Sequence, residues 1–183
     1  MSHRHKQAQT HSCADDAPAP MDPYEHLIVH LKEIICPSMV IVCVGNDLCG
    51  DDGAGPTLAR TLPKTIPWTV FDTGTVPESF LMKIAQAKPE SLLLIDALDF
   101  GAAPGEVEFF MSDDITGQGP STHGPAPLAF LEVLQMIHPC RNAVLGIQPK
   151  DNTIGSSLSK PVAQAVDMIA RAIQAMAAEA DHG

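Results

Sequence analysis

The sequence predicts a three-layer α/β domain, and three observations support that prediction. Apolar runs of strand length alternate along the chain with helical segments that carry one apolar stripe. Residues 39–44 and 92–95 are apolar throughout, which is typical of strands covered on both faces of a central sheet. The length of 183 residues suits one domain of ordinary size.

The N-terminal part of the chain differs in composition from the rest. Residues 1–20 are rich in His, Gln, Ala and Pro and have almost no large apolar side chain, so we predict a disordered tail. Residues 21–38 are predicted to form a helical extension, in which Asp22 caps a helix that begins at Pro23. The main domain is then expected over residues 39–178.

Within that domain, apolar patterning and proline positions define the elements. Five strands are predicted, at residues 39–44, 68–71, 92–95, 106–110 and 143–145. Four helices are predicted, at residues 56–62, from Pro77 until Pro89, at 127–137 and at 162–178. Alternating apolar and polar residues indicate an edge strand at 106–110. Since ligands bind beyond the carboxyl ends of the strands in such sheets, the candidate site loops follow Val44, Phe71 and Ile95.

Net charge and apolar patterning argue against several classes of partner, and the cysteines indicate the cellular compartment. Eleven Lys and Arg against 22 Asp and Glu give a net charge of −11, which argues against nucleic acid or an anionic membrane. No apolar run approaches the roughly 20 residues of a membrane span, and no secretory signal is recognisable, so membrane insertion is not expected. Five dispersed cysteines without a C-x-x-C pair fit the reduced cytoplasm.

The loop after the first predicted strand is rich in glycine and aspartate and does not fit a nucleotide. Residues 45–55 lack the Lys of a P-loop and the G-x-G-x-x-G spacing of a dinucleotide site, and their three carboxylates would repel phosphate. The glycines permit a tight turn from strand to helix. Asp51 or Asp52 can cap the following helix or face a ligand. Because adjacent residues do not share a helix face, we expect one acid to be structural and the other directed at a ligand.

Further candidate side chains come from two other loops. Asp96 directly follows the third apolar run, at the carboxyl edge of the sheet, whereas Asp99 suits a loop hydrogen bond to backbone amides. His123 lies in a polar, Gly- and Pro-rich segment rather than on an apolar helix face. Two carboxylates and one imidazole from separate loops suit a divalent metal such as nickel or zinc. The sequence has neither the H-E-x-x-H nor the G-x-S-x-G motif.

Three other histidines have simpler interpretations. His138 precedes Pro139 at the end of a predicted helix and suits a charge interaction with the helix C-terminus. His26 and His30 are four residues apart on the first predicted helix, so joint metal binding is geometrically possible. Because no third ligand is near them in the sequence, a surface role is the expectation for this pair.

Four motifs in order along the chain resemble those of the hydrogenase maturation proteases. They are Val-Gly-Asn-x-Leu-x-Gly-Asp-Asp-Gly-x-Gly at 44–55, Asp-Ala-Leu-Asp-Phe-Gly at 96–101, Pro-Gly-Glu at 104–106 and Thr-His at 122–123. Gly-Ile-Gln-Pro at 146–149 is similar to the members that process the formate-hydrogenlyase type of hydrogenase. The resemblance covers residues 39 to about 175 and implies an α/β/α sandwich around a mostly parallel, mixed five-stranded sheet.

The resemblance also implies an activity. Family members are cytoplasmic endopeptidases, of aspartic or metal-assisted type, that remove the C-terminal extension of a [NiFe]-hydrogenase large-subunit precursor after nickel insertion. Carried over by position, the nickel-contacting residues fall on Asp52, Asp96 and His123, and Asp51 becomes the structural partner. We expect the substrate to supply the nickel, so that it is not a resident cofactor, and we expect a monomer. The alternative is a non-catalytic nickel chaperone or sensor that uses the same three ligands.

Overall fold

One five-stranded sheet organises the part of the chain that the computed structural model describes, residues 21–111 and 126–180. The strands are β1 (Met39–Cys43), β2 (Thr69–Asp72), β3 (Ser91–Ala97), β4 (Val107–Met111) and β5 (Arg141–Ile147). They lie in the order β2–β1–β3–β5–β4, and every pair is parallel except β4 with β5, which is antiparallel. The mixed sheet confirms the predicted fold class, and β4 is the edge strand that its alternating pattern indicated.

The helices of the described residues cover the sheet in two layers. They are α1 (Pro23–Ile34), α2 (Ala54–Thr61), α3 (Leu81–Gln86), α4 (Ala126–Ile137) and α5 (Lys160–Ala180), with 3-10 turns at Gly50–Gly53 and Pro77–Phe80 before α2 and α3. Helices α1, α2 and α5 pack on one face, and α3 and α4 pack on the other. In β3, Leu93 contributes to the first layer and Leu94 to the second, which explains why the strand is apolar throughout. None of these helices is long and apolar enough to cross a membrane.

The N-terminal helix shares its core with the rest of the chain. Asp22 accepts a hydrogen bond from the Tyr24 N–H at 2.9 Å, and Pro23 occupies the first turn, as the capping pattern predicts. Leu27 and Leu31 of α1 are buried in the layer that contains α5, and such burial contributes about 1.5–3 kcal/mol per side chain. The tail predicted over residues 1–20 lies outside the described residues, and the domain boundaries stay predictions.

The register of the sheet brings four strand ends to one edge. Cys43, the last residue of β1, pairs with Asp72 of β2 and with Ile95 of β3. Asp96, one residue further along β3, pairs with Gly146 of β5. Since these strands are parallel, the loops that follow them are neighbours, and this edge is where α/β sheets bind ligands.

Helix α2 and strand β5 are two of the elements that differ in extent from their predictions. Helix α2 begins at Ala54 rather than Pro56, because the chain already follows a helical path in the preceding 3-10 turn. Strand β5 runs over seven residues instead of the three that the apolar pattern predicted. It pairs with β3 on one side and β4 on the other. The paired residues include Asn142, which is polar, and Gly146, which has no side chain, and both interrupt the apolar pattern.

Candidate active site

The loop between β1 and α2 folds back on itself through a close backbone contact. Gly45 adopts a φ of +141°, and a Cβ atom there would lie 1.9 Å from the carbonyl oxygen of Asp52. The same carbonyl accepts a hydrogen bond from the Asn46 N–H at 3.0 Å. Only glycine permits this approach, so the glycine at the end of the first strand brings Asp52 back towards the edge of the sheet.

Asp47, the first carboxylate of this loop, is paired with a cation. It accepts hydrogen bonds from both terminal nitrogens of Arg60, at 2.7 and 2.8 Å. These hydrogen bonds hold the pKa of Asp47 below its usual value. Both side chains are about half exposed, so the ion pair adds little to stability. The charge of Asp47 is nevertheless compensated by Arg60 of α2, which leaves Asp51 and Asp52 as the other two acids of the loop.

Asp51 is fully buried and holds a distant loop in place. Its Oδ2 accepts the N–H groups of Lys150 and Asp151, at 2.8 and 3.0 Å, and the hydroxyl of Ser159 at 2.9 Å. Its Oδ1 accepts the Ser159 N–H at 2.6 Å. Burial alone would raise the pKa of Asp51, but these hydrogen bonds together hold it below its usual value.

These contacts decide between the alternatives that the sequence left open. Gly53 occupies the N-cap position of α2, and no side chain caps that helix, so the capping interpretation of Asp51 and Asp52 is wrong. Asp51 is the structural acid, since all of its hydrogen-bond donors belong to residues 150–159. That Asp52 is directed at a ligand stays a prediction.

Asp52 and Asp96 form an electrostatically coupled pair at the carboxyl edge of the sheet. Asp52 is half-buried, and burial raises its pKa against the opposing hydrogen bond from the Asn46 amide. Asp96, near the end of β3, is only 7% exposed. Burial and then the charge of Asp52 raise the pKa of Asp96 to about 7, against a hydrogen bond from the Ala97 amide. Two carboxylates in this state favour a cation, because a cation relieves both the repulsion and the desolvation.

Hydrogen bonds between loops fix the edge on which this pair lies. The Thr73 hydroxyl, buried after β2, donates to the Cys43 carbonyl at 3.0 Å. The Gly45 N–H donates to the Gly74 carbonyl at 3.0 Å, and the Val44 N–H donates to the Ile95 carbonyl at 2.9 Å. The loops that follow β1 and β2 and the end of β3 are thus joined directly.

Gln148 is a positioning residue whose role sequence reasoning missed. Its buried Oε1 accepts the N–H groups of Phe100 and Ala102, at 2.9 and 3.1 Å, and its Nε2 donates to Asp99 at 3.1 Å. Asp99 also accepts the Gly101 N–H at 3.2 Å, which confirms its interpretation as a loop acceptor. Gln148 therefore fixes the loop that follows Asp96. Its position in the 146–149 motif was the only signal in the sequence that could have identified it.

The predicted histidine ligand cannot be placed relative to the acidic pair. His123 lies outside the described residues, and so its membership of the site stays a prediction. His138 has a structural contact, with its Nε2 3.0 Å from the carbonyl oxygen of Pro89. Within residues 21–111 and 126–180, no cluster of three or more His, Cys, Asp or Glu side chains is arranged to hold a metal ion. A metal ion bound by Asp52 and Asp96 therefore needs ligands from another segment or another molecule.

Fold and site together define an α/β protein with a paired-carboxylate centre at the carboxyl edge of its sheet. The sequence model of the family described as HycI, hydrogenase maturation protease, matches residues 55–176. This match covers most of the 183 residues, and the chain belongs to the hydrogenase maturation protease family.

Individual relatives agree with this assignment. The chain is 37% identical over 134 residues to the hydrogenase 3 maturation protease of Escherichia coli K12, covering 71% of this chain and 85% of that one. The solution structure of the endopeptidase HycI from Escherichia coli superposes with a TM-score of 0.64 at 35% identity, over 73% of this chain and 86% of that one. The crystal structure of the [NiFe] hydrogenase maturation protease HycI from Thermococcus kodakarensis KOD1 also gives a TM-score of 0.64, at 28% identity, over 76% and 89%.

Proposed function

We propose that this protein is the endopeptidase that removes the C-terminal extension of a [NiFe]-hydrogenase large-subunit precursor after nickel insertion. The observation that carries the proposal is the coupled pair Asp52 and Asp96, placed at the ligand-binding edge of a fold whose family consists of hydrogenase maturation proteases. The proposal includes a monomer that acts in the cytoplasm.

Nickel carried by the precursor is, in this proposal, the feature that the site recognises. Asp52, Asp96 and His123 are its ligands from the protease, and the precursor supplies the others. The chemistry of the donors supports this, because carboxylate and imidazole are suitable ligands for divalent nickel. The raised pKa values of Asp52 and Asp96 support it too, since an incoming divalent cation favours ionisation of both carboxylates.

The ion then serves to place the scissile bond. Bound jointly by precursor and protease, nickel positions the peptide and polarises its carbonyl or an attacking water. Asp51 and Gln148 act indirectly, because Asp51 anchors the loop that carries Asp52 and Gln148 fixes the loop that follows Asp96. Because a nickel-free precursor lacks the ion, it is not held in this geometry and is not cleaved.

The decisive experiment compares nickel-loaded with nickel-free precursor, with cleavage followed by gel mobility. We expect only the loaded form to be cleaved. Equal cleavage of both forms would remove nickel recognition from the proposal and leave the endopeptidase. Binding of free nickel in calorimetry, with neither precursor form cleaved, would instead identify a chaperone or sensor.

Variants of the same loops test the residues. Asp52→Ala, Asp96→Ala and His123→Ala are each expected to abolish processing and to retain a native circular dichroism spectrum. The matched control is Asp47→Ala, which removes a carboxylate of the same loop that is already paired with Arg60 and should keep activity. Full activity in any of the first three variants would remove that residue from the site.

A further inference from the structure

Helix α1 places two imidazole nitrogens side by side. His26 and His30 are one helical turn apart, and their Nε2 atoms are 3.1 Å from each other. Their ring centroids are 4.4 Å apart, and the ring planes are inclined by 69°. The sequence alone predicted a surface role for this pair, but it could not show that the two nitrogens converge.

The distance between the nitrogens matches that of two ligands of one metal ion. Imidazole nitrogens about 2.0–2.1 Å from an ion, at an angle of about 90–110°, lie about 2.9–3.4 Å apart. Without a metal ion, the same contact is an N–H···N hydrogen bond of 3.1 Å. It is bent, because a linear bond of this length would separate the ring centroids by about 5.4 Å rather than the observed 4.4 Å, and the two nitrogens therefore meet at an angle.

The surroundings fix His30 and favour a cation. Its ring stacks on Phe109 of β4, with centroids 5.4 Å apart and planes inclined by 22°. Its Nδ1 lies 3.9 Å from a carboxylate oxygen of Glu33, so a negatively charged group is near the ring nitrogen that would not bind the ion. His26 lines a groove of about 620 Å³ that Glu106 and Glu108 also line.

Both rings remain accessible to solvent. The side chain of His30 is 30% exposed, and His26 lies at the wall of the groove. An ion can therefore reach both nitrogens and retain water as its remaining ligands, which explains how the pair can bind a metal without a third protein ligand.

We propose that His26 and His30 form a chelating site for a divalent first-row transition-metal ion such as Zn²⁺ or Ni²⁺, with water completing its coordination. The site is separate from Asp52 and Asp96 and does not depend on the proposed protease activity. Because the two ligands span one turn of α1, the ion also stabilises that helix, whose Leu27 and Leu31 are buried in the core shared with α5.

The test is a Zn²⁺ titration of the full-length protein after removal of bound metal. His3, His5 and His11 are replaced by Gln in every sample, so that the N-terminal histidines do not contribute. Calorimetry gives the affinity, and long-range ¹H–¹⁵N spectra identify which imidazole nitrogens shift. We expect Zn²⁺ to shift the Nε2 resonances of His26 and His30 together.

Single substitutions separate chelation from binding by one histidine. His26→Gln leaves the stacking of His30 on Phe109 intact. It should lower the Zn²⁺ affinity at this site at least about tenfold, because only one imidazole of the protein then remains to bind the ion. His30→Gln should do the same. The control is His138→Gln, whose ring contacts the Pro89 carbonyl and which should leave the affinity unchanged.

A thermal measurement checks the helix. Zn²⁺ should raise the melting temperature of the protein with both histidines by more than it raises that of His26→Gln, with the metal-free melting temperatures showing that the variant folds. The proposal is overturned if Zn²⁺ shifts other imidazoles but not these two, or if His26→Gln binds Zn²⁺ at this site within twofold of the parent.

Discussion

Asp52 lies in the loop after β1 and Asp96 near the end of the neighbouring parallel strand β3, and the charge of Asp52 adds to burial in raising the pKa of Asp96 to about 7. Near neutral pH, Asp96 is therefore only partly ionised, and both acids lie in a partly desolvated place. Such a pair destabilises the folded protein and attracts a cation. Acids in unfavourable surroundings of this kind are typical of functional sites.

The stability of the protein should depend on pH through Asp96. In the folded chain its pKa of about 7 exceeds the ordinary value of 3.8, so folded molecules bind this proton more tightly than unfolded ones. Raising the pH from about 4 to about 7 therefore disfavours the folded state, by up to roughly 4 kcal/mol for a shift of this size. Asp96→Asn should remove that dependence, and it should be more stable than the parent at pH 8 but close to it at pH 4. Urea unfolding at both pH values measures this, and a difference independent of pH would contradict it.

Asp52→Asn should lower the pKa of Asp96, because it removes the neighbouring negative charge. The pKa should still lie above 3.8, since burial is the larger cause of the shift. Carbon-13 NMR of the Asp96 carboxyl as a function of pH measures both statements. An unchanged pKa would mean that the two acids are not coupled.

Asp51→Ala should destabilise the protein much more than Asp47→Ala. The first variant leaves three backbone N–H groups and one hydroxyl without their acceptor, and each buried donor without a partner costs about 1–3 kcal/mol. The second removes only an exposed ion pair, worth about 0–1 kcal/mol. Urea unfolding compares the two, and amide hydrogen exchange should increase at Lys150, Asp151 and Ser159 in the first. Equal losses of stability would refute the structural role of Asp51.

Gly45→Ala should damage the site without changing any of its side chains. The added Cβ would lie 1.9 Å from the Asp52 carbonyl oxygen, so the loop has to move. Gly74→Ala is a matched control, because Gly74 also has a positive φ, +55°, but its Cβ would have no atom within 4 Å. We expect Gly45→Ala to lose processing and several kcal/mol of stability, and Gly74→Ala to lose about 1 kcal/mol. Similar behaviour of both variants would show that backbone conformation, rather than close approach, explains the effect.

Local sequence determined much of the architecture. The cap at Asp22 and the apolar stripe of α1, the fully apolar β1 and β3, and the alternating β4 were all predictable, because each pattern depends on residues within one element. The rule that ligands bind beyond the strand ends was also enough to single out Asp96 and the adjacent acids Asp51 and Asp52, but not to choose between those two. His123 was singled out by its polar, Gly- and Pro-rich segment and by the family motifs, and it stays a prediction.

The tertiary structure decided what local patterns cannot encode. Asp51 and Asp52 are adjacent and chemically identical in sequence, and only the donors of residues 150–159 make one of them structural. The same holds for Gln148, whose partners lie 46–49 positions away. Burial and neighbouring charge, which raise the pKa of Asp96, are likewise properties of packing. The sequence by itself thus determined which acids reach the site edge, whereas long-range contacts determined their roles, because hydrogen-bond partners and desolvation arise from residues that are distant along the chain.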